Sequence, residues 1–242
     1  MVKAKYAIQM LRNNQIISSK YNGILISGDR CHPKIQNNII ENNKKCGIKI
    51  EDNSKAEITE RNVIKKNYNQ GILIVEGCSA IITGNNVSQN LKANIAYGGQ
   101  GSQYTRVERN EINGSVAEGI FIVEGHSDTL VRENEVNENK DGIVLYNSEG
   151  SIKENMVQYN QRSGILCGGQ TDAEITDNKI LSNVSIGVMI KDPSVPQLKA
   201  NEICHNFYQL SLDKNTKRLE QYLTLNDVKG QNELPKRTCS IL

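Results

Sequence analysis

One short phrase returns through this chain every 21 to 25 residues. Each copy places an asparagine three residues after one aliphatic side chain and two before another. The asparagines are Asn14, Asn38, Asn62, Asn85, Asn110, Asn134, Asn155, Asn178 and Asn201. The copy around Asn62 carries one extra residue. A second asparagine follows five residues later in most copies, with Ser19 and Ser115 in its place in two. A glycine and a pair of aliphatics close the unit, as in the near-identical GILIVEG (Gly71 to Gly77) and GIFIVEG (Gly119 to Gly125). Apolar residues alternate with a period of two, which is the period of a strand and not of a helix.

A unit this short cannot bury an apolar face alone, so units must stack. The chain holds 29 Ile, 30 Asn, no Trp and 2 Phe, which suits an aliphatic strand core with asparagine corners. Nine coils at about 4.8 Å each predict a rod of roughly 43 Å, with Ile stacked on Ile and amides bonded along the corners. The pattern resembles the right-handed parallel β-helix family, found in pectate lyases and in many non-enzymes. The expected class is therefore all-β, a right-handed parallel β-helix over residues 1–212. A capping segment over 213–242 follows, with Leu219, Tyr222 and Leu223 on one face of a short helix. The repeat is specific for fold and says little about activity.

The charge balance is +2, from 29 basic and 27 acidic residues, with no basic block along the sequence. Nucleic acid is therefore not an expected partner. The six cysteines form no C-x-x-C pair. The first fifteen residues lack the apolar stretch of a signal peptide. Together these lead to an expectation of a cytoplasmic chain with free thiols and no cofactor. His32, His126 and His205 are the only histidines. Cys31-His32 and Cys204-His205 fall at opposite ends of the rod, and no metal site is expected from them.

Acid–base chemistry on a polysaccharide needs paired carboxylates. Asp52, Glu76, Glu124 and Asp192 each follow a Gly-aliphatic strand. Glu76 and Glu124 fall two coils apart, roughly 9–10 Å. No polygalacturonase-like NTD, DD or GHG cluster and no pectate-lyase RxPxxR is present, so the leading expectation is a non-enzyme. A second feature points the same way. In the Gly-aliphatic strand the central residue faces outward, and down the coils it reads Leu25, Lys49, Leu73, Ala96, Phe121, Val144, Leu166, Met189 and Ser211. Leu25, Leu73, Phe121, Val144, Leu166 and Met189 form an apolar stripe, the expected surface for a protein partner.

The last four residues, Cys239-Ser240-Ile241-Leu242, match the prenylation signal, with geranylgeranylation of Cys239 expected from the terminal Leu. The coils and this ending resemble the β-helix substrate-recognition region of the F-box only proteins, in particular their prenylated member. That resemblance implies a protein-binding adaptor of ubiquitin ligation, tethered to a membrane through its prenyl group. The alternatives are a polysaccharide lyase or hydrolase and a structural filament or axoneme-type component. Residues 1–10 read as mid-coil, so another domain or chain is expected to cover that end.

Overall fold

The computed structural model describes residues 1–4, 10–29, 31–99, 104–213 and 217–232. The chain forms a right-handed parallel β-helix with three parallel sheets of ten, nine and ten strands. Each coil contributes one strand to sheet A, then sheet B, then sheet C, and every strand pairs with its equivalent one coil away. In sheet A the row Leu25, Lys49, Leu73, Ala96, Phe121, Val144, Leu166, Met189, Ser211 is in register throughout. GILIVEG and GIFIVEG occupy one place in this sheet, two coils apart.

The interior is a column of aliphatic side chains. Ile24, Ile48, Ile72 and Ile95 stack along sheet A, Ile35, Ile58 and Ile82 along sheet B, and Ile40 and Ile64 along sheet C, all at 0% exposure. Burying each such side chain contributes about 1.5–3 kcal/mol before chain entropy is set against it.

Two asparagine ladders hold the coils in register. At the corner between sheets B and C, each Asn side-chain oxygen accepts from the backbone N–H and the amide of the previous Asn. Asn110 N and Nδ2 both reach Asn134 Oδ1 at 3.0 Å, and Asn134 Nδ2 donates to Val107 O at 2.7 Å and to Asn155 Oδ1 at 2.9 Å. The amide therefore satisfies buried backbone groups of the corner as well as its neighbour. Asparagine is selected here for this geometry rather than for left-handed backbone. The residue before each ladder Asn takes the positive φ, whatever its type: Arg61, Arg109, Glu133, Glu154, Asp177.

At the corner between sheets C and A the second ladder explains the glycines. A Cβ on Gly47 would lie 2.8 Å from Asn67 Nδ2, and one on Gly164 would lie 2.7 Å from Asn183 Nδ2. Glycine is therefore required wherever the next coil carries Asn. The next coil after Asn94 carries the shorter Ser115. Asn94 uses that room, accepting from Asn90 Nδ2 at 2.8 Å and donating to Asn139 Oδ1 at 3.0 Å. The break in both columns is one compensated exchange. Gln209 ends this ladder, its Oε1 accepting from Asn206 Nδ2 at 2.9 Å.

Helix α1 (Lys217–Leu225) takes the place of a sheet B strand after the ninth coil. Leu219 packs on the core, and buried Tyr222 donates its hydroxyl to Pro196 O at 2.9 Å, while Leu223 is exposed. The repeat then resumes. Asn226 accepts from Asn201 Nδ2 at 2.7 Å, and Asp227–Lys229 adds the tenth strand of sheet C.

Removing one amide from the ladder interior strands several buried groups at once. Asn134→Ala is expected to cost at least ~3 kcal/mol in urea unfolding. Asn14→Ala, at the exposed end of the same ladder, is expected to cost under ~1 kcal/mol. Equal costs at the two positions would refute the ladder as the source of register.

Candidate active site

The outward face of sheet A is apolar along its centre. Its two long edges differ in charge. On the exit edge, leading to sheet B, stand Asp29, Asp52, Glu76, Glu124 and Asp192. Asp52 accepts a hydrogen bond from the Ser27 hydroxyl, and Asn53 Nδ2 donates to Asp29 at 3.2 Å.

The face is interrupted at one coil, which reads Asn94-Ile95-Ala96-Tyr97-Gly98-Gly99. Ala96 is the smallest apolar residue of the row and lies between Leu73 and Phe121. Gly98 and Gly99 follow with φ of +150° and +121°. A Cβ on Gly98 would collide with the Val123 carbonyl, and one on Gly99 would lie 2.9 Å from Glu76 Cβ. These small residues open a cavity of about 290 Å³, lined by Leu73, Val75, Ala96, Phe121 and Val123 with Gln70 at its entry side. Glu76 precedes the notch by one coil and Glu124 follows it by one. Both are exposed on the exit edge. The sequence marked the two glutamates and placed Ala96 in the outward row but did not show the cavity, which appears only when Ala96 is set between two large neighbours.

The other predicted candidates do not gather there. His126 Nδ1 accepts from the Asp128 backbone N–H at 3.2 Å and lies 3.5 Å from the Asp128 carboxylate, at the exit corner beyond Glu124. His32 lies 3.5 Å from Glu57. Cys204 and His205 touch, Sγ to Nδ1 at 3.3 Å, on the far side of the rod. Cys239 lies outside the described residues.

Residues 98–233, more than half of the chain, match the family model described as periplasmic copper-binding protein (NosD). The chain belongs to the NosD family. Residues 5–87 match the right-handed beta helix region. No curated protein matches the chain. Among solved structures, a double mutant of the periplasmic alginate epimerase AlgG is 13% identical with a TM-score of 0.57, covering 89% of this chain and 74% of that one. A second AlgG mutant is 14% identical with a TM-score of 0.56, covering 93% and 70%. The A-module of the mannuronan C-5 epimerase AlgE4 from Azotobacter vinelandii is 14% identical with a TM-score of 0.50, covering 88% and 70%. At these identities the likeness is one of fold.

Three expectations are corrected. The family model is described as periplasmic, as is AlgG, which overturns the cytoplasmic assignment. That assignment leaned on the cysteine pattern and on the lack of an apolar stretch in the first fifteen residues. The five described cysteines, Cys31, Cys46, Cys78, Cys167 and Cys204, are all buried, and a buried thiol packs as a small hydrophobe in any compartment. The non-enzyme expectation is corrected as well: the similar solved structures are epimerases, so this fold gives no ground for excluding an enzyme. Missing polygalacturonase and pectate-lyase motifs exclude only those two chemistries. Neither matched family is an F-box family, so the ubiquitin-ligase and prenylation expectations find no support.

The copper in the family's name was tested against the side chains present. Among the described residues no three His, Cys, Asp or Glu side chains converge. The Cys204–His205 pair offers two donors. Burial raises the thiol pKa of Cys46, Cys78 and Cys204, and pushes Cys167 up to about 12, so none of these thiols is held ready as a thiolate, the form in which cysteine binds a metal. The described donor set does not fit copper, and no chemistry below passes through it.

The buried thiols have a consequence for pH. Cys167 ionises near 9.0 when exposed and near 12 when folded. A raised folded pKa gives stability that is complete below the unfolded value and is lost as pH climbs toward the folded one. Stability should therefore fall between pH 9 and 12, by about 1.4 kcal/mol per pH unit from this thiol. Cys167→Val should flatten the alkaline limb of unfolding free energy against pH; an unchanged limb would sink this account.

Proposed function

We propose that this chain is a carbohydrate-active β-helix protein of the periplasm. It holds a linear polysaccharide along the outward face of sheet A and performs acid–base chemistry at the Ala96–Gly98–Gly99 notch. The observation that carries the reading is the notch itself: a cavity made by small residues in one coil, with a carboxylate one coil to each side. Two coils set the backbones of Glu76 and Glu124 roughly 9–10 Å apart. Carboxyl groups about 6.5–9.5 Å apart leave room for a water molecule and serve as general acid and general base. Leu73 and Phe121 hold the apolar face of a sugar ring, and Ala96 lets the ring settle between them. The periplasmic setting follows the family description, and the substrate class follows the AlgG and AlgE4 neighbours, which act on alginate-type polymers.

The length of the apolar row favours a second reading. It continues past the notch through Val144, Leu166 and Met189; Val144 and Leu166 keep only 8% of their surface exposed, so what the strip offers a protein partner is a long, flat apolar floor. One set of variants separates the two. On a panel of alginate and neutral glucans, followed by reducing ends and by NMR of the sugar configuration, Glu76→Gln and Glu124→Gln should each lower turnover at least ~100-fold. Ala96→Phe should raise KM by filling the notch, while circular dichroism stays unchanged. A wild-type protein that neither binds nor alters any of these polymers would refute the carbohydrate reading. Leu166→Asp that abolishes capture of a purified protein partner, with glycan turnover unaffected, would establish the second.

A further inference from the structure

The corner by which the chain enters sheet A carries a feature that the proposed reaction does not use. Four side chains there are the most exposed large hydrophobics among the described residues: Val184 at 67%, Phe207 at 63%, Val116 at 59% and Tyr21 at 56%. Tyr68 and Leu91 stand on the same corner at 48% and 49%. The repeat places Tyr68, Leu91, Val116, Val184 and Phe207 in one line, directly after the second ladder position, with Tyr21 one residue further along. Tyr68 N bonds Asn43 O, Leu91 N bonds Asn67 O and Val184 N bonds Asn160 O, each at 2.9 Å, so successive coils put this position directly above the last. Folding gains nothing from six apolar side chains aimed at water on one edge of a rod.

The same corner is cationic. Lys20, Lys44, Lys45, Lys92, Lys140 and Arg162 lie between the apolar side chains, all exposed. Lys44 lies 4.1 Å from the Tyr68 ring centre and Lys45 lies 5.6 Å from that of Tyr21. The corner positions themselves hold no acid. The nearest are Glu118, Glu138 and Asp141, and Asp141 is buried against Arg162 at 2.7 Å. The lysines are far apart in sequence, and only coiling brings them into a row.

We infer that this corner is a docking edge for an anionic lipid surface, with the rod lying along the bilayer plane. The inference stands independently of the carbohydrate reading. Lysines beside an anionic leaflet gain from its surface potential, and apolar side chains among them enter the boundary between headgroups and acyl chains. A linear polyanion would reward the cations but not exposed Val116, Val184 and Leu91. A lipid interface rewards both, and a straight edge of roughly 43 Å presents them together.

The test is co-sedimentation of the full chain with vesicles of equal parts phosphatidylglycerol and phosphatidylcholine, beside vesicles of phosphatidylcholine alone. Binding to the anionic vesicles is expected, weakening as salt is added. Lys44→Glu with Lys45→Glu and Lys92→Glu should weaken it at least about tenfold. Val184→Ser with Phe207→Ser should also weaken it, while Lys179→Glu with Lys199→Glu, on other faces, should not. Unchanged melting temperatures show that the variants fold. No vesicle binding, or equal loss in the Lys179/Lys199 control, overturns the inference. So does the pattern in which the serine variant binds normally and soluble alginate competes, because that assigns the edge to a polyanion.

Discussion

Every other feature of this rod depends on the buried carboxamide of asparagine. A parallel coil turns three corners, and each corner leaves backbone N–H and C=O groups inside, away from water. An unpaired buried group of this kind costs about 1–3 kcal/mol. Asn134 addresses this at one corner by accepting from the coil before and donating to the coil after and to the strand behind. Its bonds run along the rod axis, so the interaction that satisfies the corner also fixes coil-to-coil register. Once register is fixed, Ile must fall on Ile and outward side chains must fall into straight columns. The aliphatic core supplies more energy, but it tolerates sliding; the amide does not.

The same constraint explains what was legible in the sequence. A ladder demands one residue type at one spacing, so nine asparagines could be aligned by eye and the fold read from them. The tenth, Asn226, obeys the same rule, with Leu223 three before it, Val228 two after it and a spacing of 25 from Asn201, so it was equally legible; only the strand ahead of it is replaced, by helix α1. The third corner was not legible. There the buried backbone groups are met by hydroxyls of varied identity: Ser54 donates to Glu51 O at 2.6 Å, Thr171 to Gly168 O at 2.7 Å and Ser194 to Gly169 O at 2.8 Å. Serine, threonine and cysteine are interchangeable at such a site, so the column leaves no spelling to follow.

The candidate site was half legible. The outward row of sheet A and the positions of Glu76 and Glu124 follow from the repeat alone. The cavity between them does not, because it depends on the volumes of Leu73 and Phe121 relative to Ala96, three residues from three coils. The compartment was misread in part because a cysteine count carries no burial. Charge is likewise arranged in a way that the linear order does not display. A scan along the chain finds no basic block, since Lys20, Lys44 and Lys92 are separated by 24 and 48 residues, yet coiling sets them on one edge.

In a solenoid, function must be sought where the repeat departs from itself. Each corner and strand position is copied many times, so a residue that serves only the fold has equivalents above and below it. Asn94 departs and is explained within the ladder by Ser115. Ala96, Gly98 and Gly99 depart in the same coil, and the ladder gives no reason for them. The exposed Val184 and Phe207 depart from the polar character that a solvated corner favours. These two departures lie on adjoining parts of the rod, one on the face of sheet A and one on the edge that leads into it. A rod resting on that edge stands with sheet A beside the surface and the acidic exit edge turned away from it. The carboxylates then meet an incoming polymer from the open side, and the uniform part of the repeat is left to keep these surfaces at a fixed angle.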